Sequence, residues 1–296
     1  MQRRDFLTIS AGAILLPTRG FTASSLMLGD GKLTTLSDGH LVLPGDFVLG
    51  NMDPAEAAAI RAKFHLDPDS YQPPCNVTLF RTGDRNVLFD VGSGPDFMPT
   101  AGKLAEALTA ASLTPEDITD VIFTHAHPDH LWGLLDEFDE PVFANAQHYM
   151  GQVEFDYWSD PATLGSIGDA RATFAVGAAR RLATIAEQMH MLNDGDEPLP
   201  GITTRLTPGH TPGHMSFILD GKALVTGDAI SNNHVAFAQP GYASPSDQDP
   251  ERAAQTRVAL LDQITADGLA VIGFHLPGGG VGQVTREGDS YTYVEG

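Results

Sequence analysis

The sequence predicts an α/β fold in which two β-sheets pack face to face and helices cover the outer faces. Predicted strands alternate with predicted helices in both halves of the chain, and each half contains an apolar hairpin. A sheet or a helix must bury its apolar face against another element, so two such halves favour a layered sandwich. The 296 residues, 42% of them apolar, contain no long linker or low-complexity segment, which predicts a single folded domain.

The first half of the chain is rich in strands. The strands predicted there from apolar alternation and turn residues are 32–38, 40–43, the hairpin 76–92 with its turn at Gly83-Asp84, and the buried run 121–123. Helical apolar spacing predicts a helix over 99–113. Thr114 and Pro115 then open a second, short helix, because they provide a cap and a proline in the first turn.

The second half repeats this alternation with different residues. An alanine-rich helix is predicted over 171–189 and another helix over 250–266. The strands predicted around them are 202–206, the hairpin 215–228 with its turn at Asp220-Gly221, the buried run 269–274 and a closing hairpin over 281–295.

Residues 1–23 predict a twin-arginine export signal, which precedes the folded domain over 24–296. Arg3 and Arg4 stand before a short apolar run that ends at Leu16. This run has about 12 residues, whereas a membrane-spanning helix needs about 20, so no stable membrane insertion is predicted. Cleavage near Ala23 and a periplasmic location are expected. An uncleaved leader or a simple basic N-terminus is the alternative.

The chain is strongly acidic, with 17 basic and 38 acidic residues and a formal charge of −21. Removing residues 1–23 deletes three arginines and Asp5, which leaves 14 basic and 37 acidic residues and a charge of −23. Such a surface repels phosphate backbones, so no nucleic-acid partner is expected. Cys75 is the single cysteine, which excludes an intrachain disulfide and a thiolate cluster. A bound metal is therefore expected to have nitrogen and oxygen ligands.

The segment Thr-His-Ala-His-Pro-Asp-His, residues 124–130, gathers three imidazoles and a carboxylate directly after a predicted buried strand. In an extended segment His125 and His127 point to the same face, so they can bind a single ion. A proline then ends the strand, and the turn that follows can aim Asp129 and His130 at a second position. Neutral imidazole and carboxylate are ligands for zinc and similar metals.

Further metal-binding side chains stand at predicted strand ends or in tight loops. They are Asp90 in LFDVG, His210 in TPGHTPGH, Asp228 in LVTGDA and His275 in AVIGFH. Read with residues 124–130, these positions resemble the metallo-β-lactamase superfamily, whose pattern is H-x-H-x-D-H, a distant histidine, an aspartate and a final histidine. The similarity in strand order covers roughly residues 32–294. It implies an αββα sandwich of two mixed β-sheets, the metallo-β-lactamase fold, for residues 24–296.

The resemblance also implies a site for two divalent metal ions, with zinc the default on ligand softness and availability. The implied ligands are His125, His127 and His210 for one ion and Asp129, His130 and His275 for the other, with Asp228 bridging both. A hydroxide that bridges the ions would be the nucleophile, because coordination lowers the pKa of water to about 7. In relatives, the residue at the position of Asp129 has been proposed to move a proton to the leaving group. Asp129 and the bridging Asp228 are therefore the candidate catalytic residues. Asp90 and His214 are interpreted as structural groups or as partners that orient the ligands, and a role as extra ligands is the alternative for each.

Differences from the general pattern narrow the choice among the groups of the superfamily. His127 stands where oxygen-reducing di-iron members have glutamate, which favours hydrolysis, and true metallo-β-lactamases generally lack the aspartate at Asp228. The acyl-homoserine lactonases and the methyl parathion hydrolase group remain. The second group is similar over more of the chain, through the export leader, the LSDGHLVLP and FANAQHYMGQVEFDYWSD segments, and the ending FHLPGGGVGQVTREGDSYTYV.

That group has pocket aromatics at the positions of Phe97, Trp158 and Phe174, so the resemblance implies an apolar mouth over the metals. Packing in the core or in loops is the alternative for each. His234, six residues after Asp228, is a further candidate for substrate contact, and a solvent-facing position is its alternative.

The sequence therefore predicts a metal-dependent hydrolase that cleaves a neutral ester, lactone or phosphotriester. The alternatives are a periplasmic β-lactamase and, in another class, a non-catalytic metal- or partner-binding protein on the same fold. The expected partner is a small-molecule substrate. Relatives in the parathion-hydrolase group are often dimers, so a homodimer is the assembly that the resemblance suggests.

Overall fold

A computed structural model describes residues 24–296 of the chain. The predicted export signal, residues 1–23, lies outside the described residues. In chain order the strands are β1 (Ser25–Leu28), β2 (Gly31–His40), β3 (Leu43–Pro44), β4 (Ser70–Tyr71), β5 (Pro74–Thr82), β6 (Arg85–Phe89), β7 (Asp120–Ile122), β8 (Gln147–Gly151), β9 (Met189–Leu192), β10 (Ile202–Leu206), β11 (Met215–Leu219), β12 (Ala223–Val225), β13 (Ala270–Ile272), β14 (Val281–Glu287) and β15 (Ser290–Glu295). The α-helices are α1 (Pro54–Phe64), α2 (Leu104–Ala110), α3 (Pro128–Leu131), α4 (Gln152–Ser159), α5 (Pro161–Ser166), α6 (Ala172–Ile185), α7 (Val235–Ala238) and α8 (Pro250–Asp267).

Two mixed sheets contain most of the strands. The first has seven strands in the order β1-β2-β5-β6-β7-β8-β9, and the second has six in the order β10-β11-β12-β13-β14-β15. In the first sheet β6, β7, β8 and β9 are parallel neighbours. In the second sheet β12 and β13 are parallel and the other pairs are antiparallel. Parallel neighbours bring the carboxyl ends of consecutive strands to one edge, where loops carry functional side chains.

The two sheets pack face to face around a shared apolar core. Phe89 of β6 and Phe217 of β11 meet between them, with ring centroids 5.3 Å apart, and buried residues of both sheets surround this pair. The outer face of the first sheet packs against α2 and α6, and that of the second sheet packs against α8. Each fully buried Leu or Phe in these layers contributes about 1.5–3 kcal/mol relative to an exposed one. The predicted αββα sandwich is confirmed.

Local sequence explains where the helices begin and end. The Asp53 carboxylate accepts a hydrogen bond from the Ala55 N–H (2.9 Å) and caps α1, which starts at Pro54. At α8 the Asp249 carboxylate accepts from the Arg252 N–H (3.0 Å). That helix ends before Gly268, whose φ of +64° is readily adopted only without a Cβ atom.

Two predicted helices are shorter than their apolar spacing suggested. The helix predicted over 99–113 begins only at Leu104, because Gly102 just before it has a φ of +74°. The helix predicted over 171–189 ends at Ile185, and Met189 already belongs to β9. In both cases apolar residues in the flanking turn or strand continue the helical spacing beyond the end of the helix. Spacing alone does not report the backbone conformation, so both helices were predicted too long.

A small layer in front of the sandwich was missed by the sequence analysis. Residues 41–71 contain the two-stranded sheet of β3 and β4 together with α1. This layer has its own apolar cluster, in which Val48, Ile60 and Tyr71 pack near Val235 of α7. No helix among residues 24–296 is long and apolar enough to cross a membrane.

Candidate metal centre

The candidate ligands lie at the carboxyl ends of strands along one edge of the sandwich. His125 and His127 follow β7, and Asp129 and His130 lie on the single turn of α3 directly after them. His210 lies on the loop between β10 and β11. Asp228 lies on a short 3₁₀ turn after β12, and His275 follows β13. All seven side chains are buried, with exposed fractions between 0% and 6%. The fold brings these predicted ligands together at one edge of the sandwich.

Three of the histidines form one group. Donor atoms of His125, His127 and His210 lie within 4.8 Å of one another, and His210 Nε2 is 2.9 Å from His127 Nδ1. Burial, followed by the effect of neighbouring imidazoles, holds the pKa values of His125 and His127 well below the ordinary value. Both rings are therefore neutral at pH 7, which is the form that binds a metal.

The remaining predicted ligands form a second group beside the first. His275 Nε2 lies 3.1 Å from Asp129 Oδ2, and His130 Nε2 lies 3.5 Å from the same oxygen. Burial favours the neutral form of His130, but the surrounding carboxylates of Asp129, Asp228 and Asp90 outweigh it and raise the His130 pKa to about 10. The group thus has strongly interacting opposite charges in the metal-free protein.

The Asp228 carboxylate lies between the two groups. Its Oδ1 is 3.3 Å from His130 Nε2, and its Oδ2 is 3.4 Å from both His210 Nε2 and His275 Nε2. Burial alone would raise the pKa of this carboxyl, but His275 and His130 hold it well below its ordinary value. Asp228 is thus ionised and faces the donor atoms of both groups.

The donor atoms fit a bound cation better than they fit one another. His125 Nε2, His130 Nε2, Asp129 Oδ2 and Asp228 Oδ1 are buried atoms without a hydrogen-bond partner among the described residues. Several are within ion-pair distance of an opposite group, yet their angles do not suit hydrogen bonds. A buried polar atom without a partner costs about 1–3 kcal/mol. Imidazole and carboxylate donors facing a shared volume would be satisfied by zinc or a similar ion.

Cys75 lies beside the second group, which the sequence did not indicate. Its sulfur and donor atoms of Asp129 and His275 are within 4.8 Å of one another. Burial raises the pKa of the Cys75 thiol to about 12, so in the metal-free protein it is a neutral thiol and not a thiolate ligand.

The structure places Asp90 against the ligands. Its Oδ2 is 2.8 Å from His130 Nδ1, and its carboxylate accepts hydrogen bonds from the N–H and hydroxyl of Thr124 (2.8 Å each). The Thr124 hydroxyl in turn lies 3.0 Å from His125 Nδ1. Asp90 thus contacts one ligand directly and another through Thr124, and its role as an orienting group remains a prediction.

His214 is held by two neighbours and presents no free ring nitrogen. Its Nδ1 is 2.8 Å from the Thr207 hydroxyl, and its Nε2 accepts a hydrogen bond from the Asp228 backbone N–H (2.9 Å). This contact links His214 to the turn that carries Asp228, and its orienting role stays a prediction.

Asp247 was missed by the sequence analysis. One of its carboxylate oxygens is 2.9 Å from His210 Nδ1, and the other accepts from the Arg257 guanidinium at 2.9 Å. Asp247 is 37 residues from His210 in sequence and belongs to a polar loop, so no local pattern singled it out.

A cavity of about 450 Å³ opens over the candidate ligands. Its floor includes His127, Asp129, His210, Asp228 and His275. Its apolar wall is formed by Leu41, Leu43, Phe47, Val48, Tyr71, Pro73, Phe97, Met98 and Phe174. Phe97 and Phe174, two predicted pocket residues, face each other there with centroids 6.1 Å apart. Arg171, which the sequence analysis did not single out, is the only lysine or arginine that lines the cavity within residues 24–296.

The other two predicted pocket residues lie behind the cavity wall. Trp158 is 1% exposed, its indole N–H donates to the Glu154 carboxylate (2.7 Å), and its ring packs 5.7 Å from that of His127. His234 is also 1% exposed and packs against Tyr71 at 5.5 Å. Neither is among the residues that line the cavity, because each side chain turns toward the core. The solvent-facing alternative for His234 is wrong.

The metallo-beta-lactamase superfamily model matches residues 71–275, a range that includes all seven candidate ligands. An N-acyl homoserine lactonase, AttM of Azorhizobium caulinodans, is 30% identical over 166 residues, which cover 53% of this chain and 59% of that protein.

Two solved structures show the same fold over nearly the whole chain. The AbOPH hydrolase of the beta-lactamase superfamily has a TM-score of 0.85 and 24% identity, covering 94% of this chain and 98% of its own. AidC, a dizinc quorum-quenching lactonase, has a TM-score of 0.86 and 23% identity, covering 93% of this chain and 97% of its own.

Proposed function

Because the chain belongs to the metallo-β-lactamase superfamily, we propose that it is a binuclear metal-dependent hydrolase that cleaves a neutral ester, lactone or phosphotriester. The observation that carries this proposal is the convergence of seven buried nitrogen- and oxygen-bearing side chains, five of which form the floor of an apolar cavity. Four donor atoms among them have no hydrogen-bond partner within residues 24–296, which is the arrangement that a metal site requires.

The proposed ligands divide as the two groups do. His125, His127 and His210 would hold one ion, Asp129, His130 and His275 would hold the other, and Asp228 would contribute to both. When bound, two such ions, with zinc the default, would supply a nucleophile from water at neutral pH and would polarise the bond under attack. The neutral forms of His125 and His127 and the ionised form of Asp228 suit this task.

The side chains of the cavity bind and orient the substrate. The apolar wall accommodates an acyl chain or an aryl group, and its aromatic rings exclude water from the floor. Asp129 lines the cavity and also belongs to the second ligand group, which supports a role in holding a proton for the leaving group.

Among the candidate substrates the comparisons favour a lactone. AttM is an N-acyl homoserine lactonase and AidC is a quorum-quenching lactonase, and an acylated lactone combines a compact electrophile with an apolar chain that suits this cavity. Phosphotriester cleavage rests on the likeness of the sequence to the parathion-hydrolase group. It needs the same nucleophile and electrophile activation.

The test is a hydrolysis panel on zinc-loaded protein. The substrates are acyl-homoserine lactones, simple aryl esters, a methyl phosphotriester and a cephalosporin, each repeated after treatment with a chelator. Chelator-sensitive turnover of lactones well above the other classes is the expected result. A preference for the cephalosporin would favour a β-lactamase. No turnover of any substrate by protein with two bound metals would contradict the hydrolase proposal.

We also propose that the protein reaches the periplasm through the signal in residues 1–23. The support is the arginine pair and the short apolar run. Replacing Arg3 and Arg4 by lysine is expected to retain the precursor in the cytoplasm. Mass spectrometry of the exported protein is expected to find an N-terminus near Ala23, and export of the variant at the normal rate would contradict the assignment.

A further inference from the structure

Glu154, on α4, is a buried carboxylate held by hydrogen bonds from three different parts of the chain. Its exposed fraction is 0%. One oxygen, Oε1, accepts from the Ala126 N–H (3.0 Å) and the Trp158 indole N–H (2.7 Å). The other, Oε2, accepts from the Thr211 hydroxyl (2.7 Å) and the Gly213 N–H (3.0 Å). All four neighbours are donors, so each oxygen takes two hydrogen bonds.

These donors lie next to the proposed ligands of one ion. Ala126 stands between His125 and His127, while Thr211 and Gly213 follow His210 on its loop. The two oxygens of one carboxylate therefore connect the loop after β7 to the loop between β10 and β11. The two loops belong to different sheets, so their separation depends on what lies between them.

A buried carboxylate is a costly way to fill this position. Removing a charge from water is unfavourable unless it is fully hydrogen-bonded, and no lysine or arginine among the described residues forms an ion pair with Glu154. Burial raises the pKa of the Glu154 carboxyl, and the four donors, which favour the charged form, oppose that shift. An apolar residue would leave all four donors without a partner, at about 1–3 kcal/mol each.

We propose that Glu154 is a positioning residue that sets the distance between the two histidine loops and so holds His125, His127 and His210 in the geometry that binds the first ion. This inference rests on the proposed metal site. It assigns Glu154 no contact with substrate, and its effect passes through the backbone of the two loops.

The other half of the site has different supports. His130 is held by Asp90, and His275 Nδ1 lies 2.7 Å from the Pro74 carbonyl oxygen. Neither support contacts Glu154. A change at Glu154 should therefore weaken one half of the site and spare the other, whereas general damage to the fold would weaken both.

The test uses Glu154→Gln, because the amide keeps the shape but has only one acceptor oxygen. Its NH₂ group must face either the Ala126 and Trp158 N–H groups or the Thr211 hydroxyl and the Gly213 N–H group, so in both orientations a backbone N–H beside a candidate ligand loses its acceptor. The substitution is made in two backgrounds, His275→Ala, which leaves the three-histidine half intact, and His210→Ala, which leaves the other half. The zinc dissociation constant of each protein is measured by competition with a chromophoric chelator.

Glu154→Gln is expected to weaken zinc binding by about 10–100-fold in the His275→Ala background, as loss of a residue that supports the metal ligands commonly does. In the His210→Ala background the constant is expected to stay unchanged. Asp38→Asn is the matched control. Asp38 is a buried carboxylate that accepts from the N–H groups of Ser93, Gly102 and Leu104 (2.8–3.1 Å), and none of these residues neighbours a ligand. Its substitution is expected to lower stability without changing zinc affinity.

Equal weakening in both backgrounds would overturn the inference and assign Glu154 to general stability. Unchanged zinc affinity in the His275→Ala background would overturn it as well. If Glu154→Gln fails to fold, Thr211→Val removes one donor to Oε2 and is expected to weaken only the three-histidine half, by a smaller factor. A wild-type protein that binds no zinc would contradict the proposed function itself. Normal zinc binding with no effect of Glu154→Gln contradicts only the positioning role.

Discussion

At the scale of single residues, four of the five candidate histidine ligands have a partner at the ring nitrogen that points away from the site. The Nδ1 atoms of these histidines lie near Thr124 for His125, Asp90 for His130, Asp247 for His210 and the Pro74 carbonyl for His275. Such partners fix the ring orientation and the tautomer, which leaves the Nε2 atom to face the site. His127 is the exception, since its Nδ1 faces His210.

Asp228→Ala is expected to lower turnover by more than about 100-fold, beyond what loss of an orienting residue usually costs. The physical reason is that Asp228 faces both ligand groups, so its loss affects both ions. Turnover and zinc content are measured together. His190→Ala, at an exposed position on β9, is the control and should change neither. Full turnover of the Asp228 variant would contradict the bridging role.

Arg171→Met is expected to weaken inhibition by the carboxylate product about 10-fold, because a charge-assisted hydrogen bond contributes about 1.5–3 kcal/mol and 1.4 kcal/mol is tenfold. Arg171 lines the cavity, where its guanidinium also donates to the Ser246 carbonyl (2.9 Å). The inhibition constant of the hydrolysed substrate is the measurement. Arg180→Met, at an exposed position on α6, the helix that begins directly after Arg171, is the matched control. An unchanged constant would show that the cation does not contact the product.

At the scale of elements, short buried strands carry the site. Strands β7, β12 and β13 have three residues each, all buried, and the loops that follow them provide six of the seven candidate ligands. His148 lies on β8, the strand next to β7. Its side chain is 1% exposed and stacks on Phe123, because its side of β8 faces the core.

His148→Leu is expected to make the protein less sensitive to acid. Burial, with a smaller effect of His190, lowers the pKa of His148 from 6.5 to about 4. As pH falls through this window the unfolded chain takes up a proton that the folded protein does not bind, so stability is lost. The whole shift corresponds to about 3 kcal/mol.

The free energy of unfolding is measured between pH 8 and pH 4 with a chelator present. The variant should lose up to about 3 kcal/mol less than the wild type over this range. His40→Gln, at a half-buried position at the end of β2, serves as control. An equal loss of stability between pH 8 and pH 4 in the wild type and the His148 variant would contradict the role of His148 in acid sensitivity.

At the scale of the whole molecule, the site joins the two halves of the sandwich. Four candidate ligands follow β7 of the first sheet, and the other three belong to loops of the second. The cavity wall also draws on residues 41–48, which lie outside the family match over 71–275. The ligands therefore belong to the shared part of the family, whereas part of the substrate wall does not.

Metal removal is expected to lower the melting temperature. Free zinc at 100 times its dissociation constant stabilises the folded protein by about 2.7 kcal/mol per site, which corresponds to roughly 5–10 °C for a chain of this size. Scanning calorimetry with and without a chelator is the measurement. The Asp228→Ala variant should show a smaller difference between the two conditions. Equal melting temperatures with and without a chelator would contradict a metal site between the sheets.

The sequence by itself determined the fold class and the identity of the side chains that meet at the candidate site. Strand and helix periodicities and turn residues are local properties, so hairpins such as 76–92 and helices such as α8 could be predicted from them. The ligand types could also be predicted, because His125, His127, Asp129 and His130 are close in sequence and His210, Asp228 and His275 complete a known pattern. These residues meet because the strands before them end at the same edge.

Only the tertiary structure decided which residues support the site and which line its cavity. Glu154 reaches Ala126 across 28 positions and Gly213 across 59, and Asp247 reaches His210 across 37. The same folding turned Trp158 inward and placed Arg171 on the cavity wall. A buried hydrogen bond depends on distance and direction in three dimensions, and residue spacing along the chain contains neither.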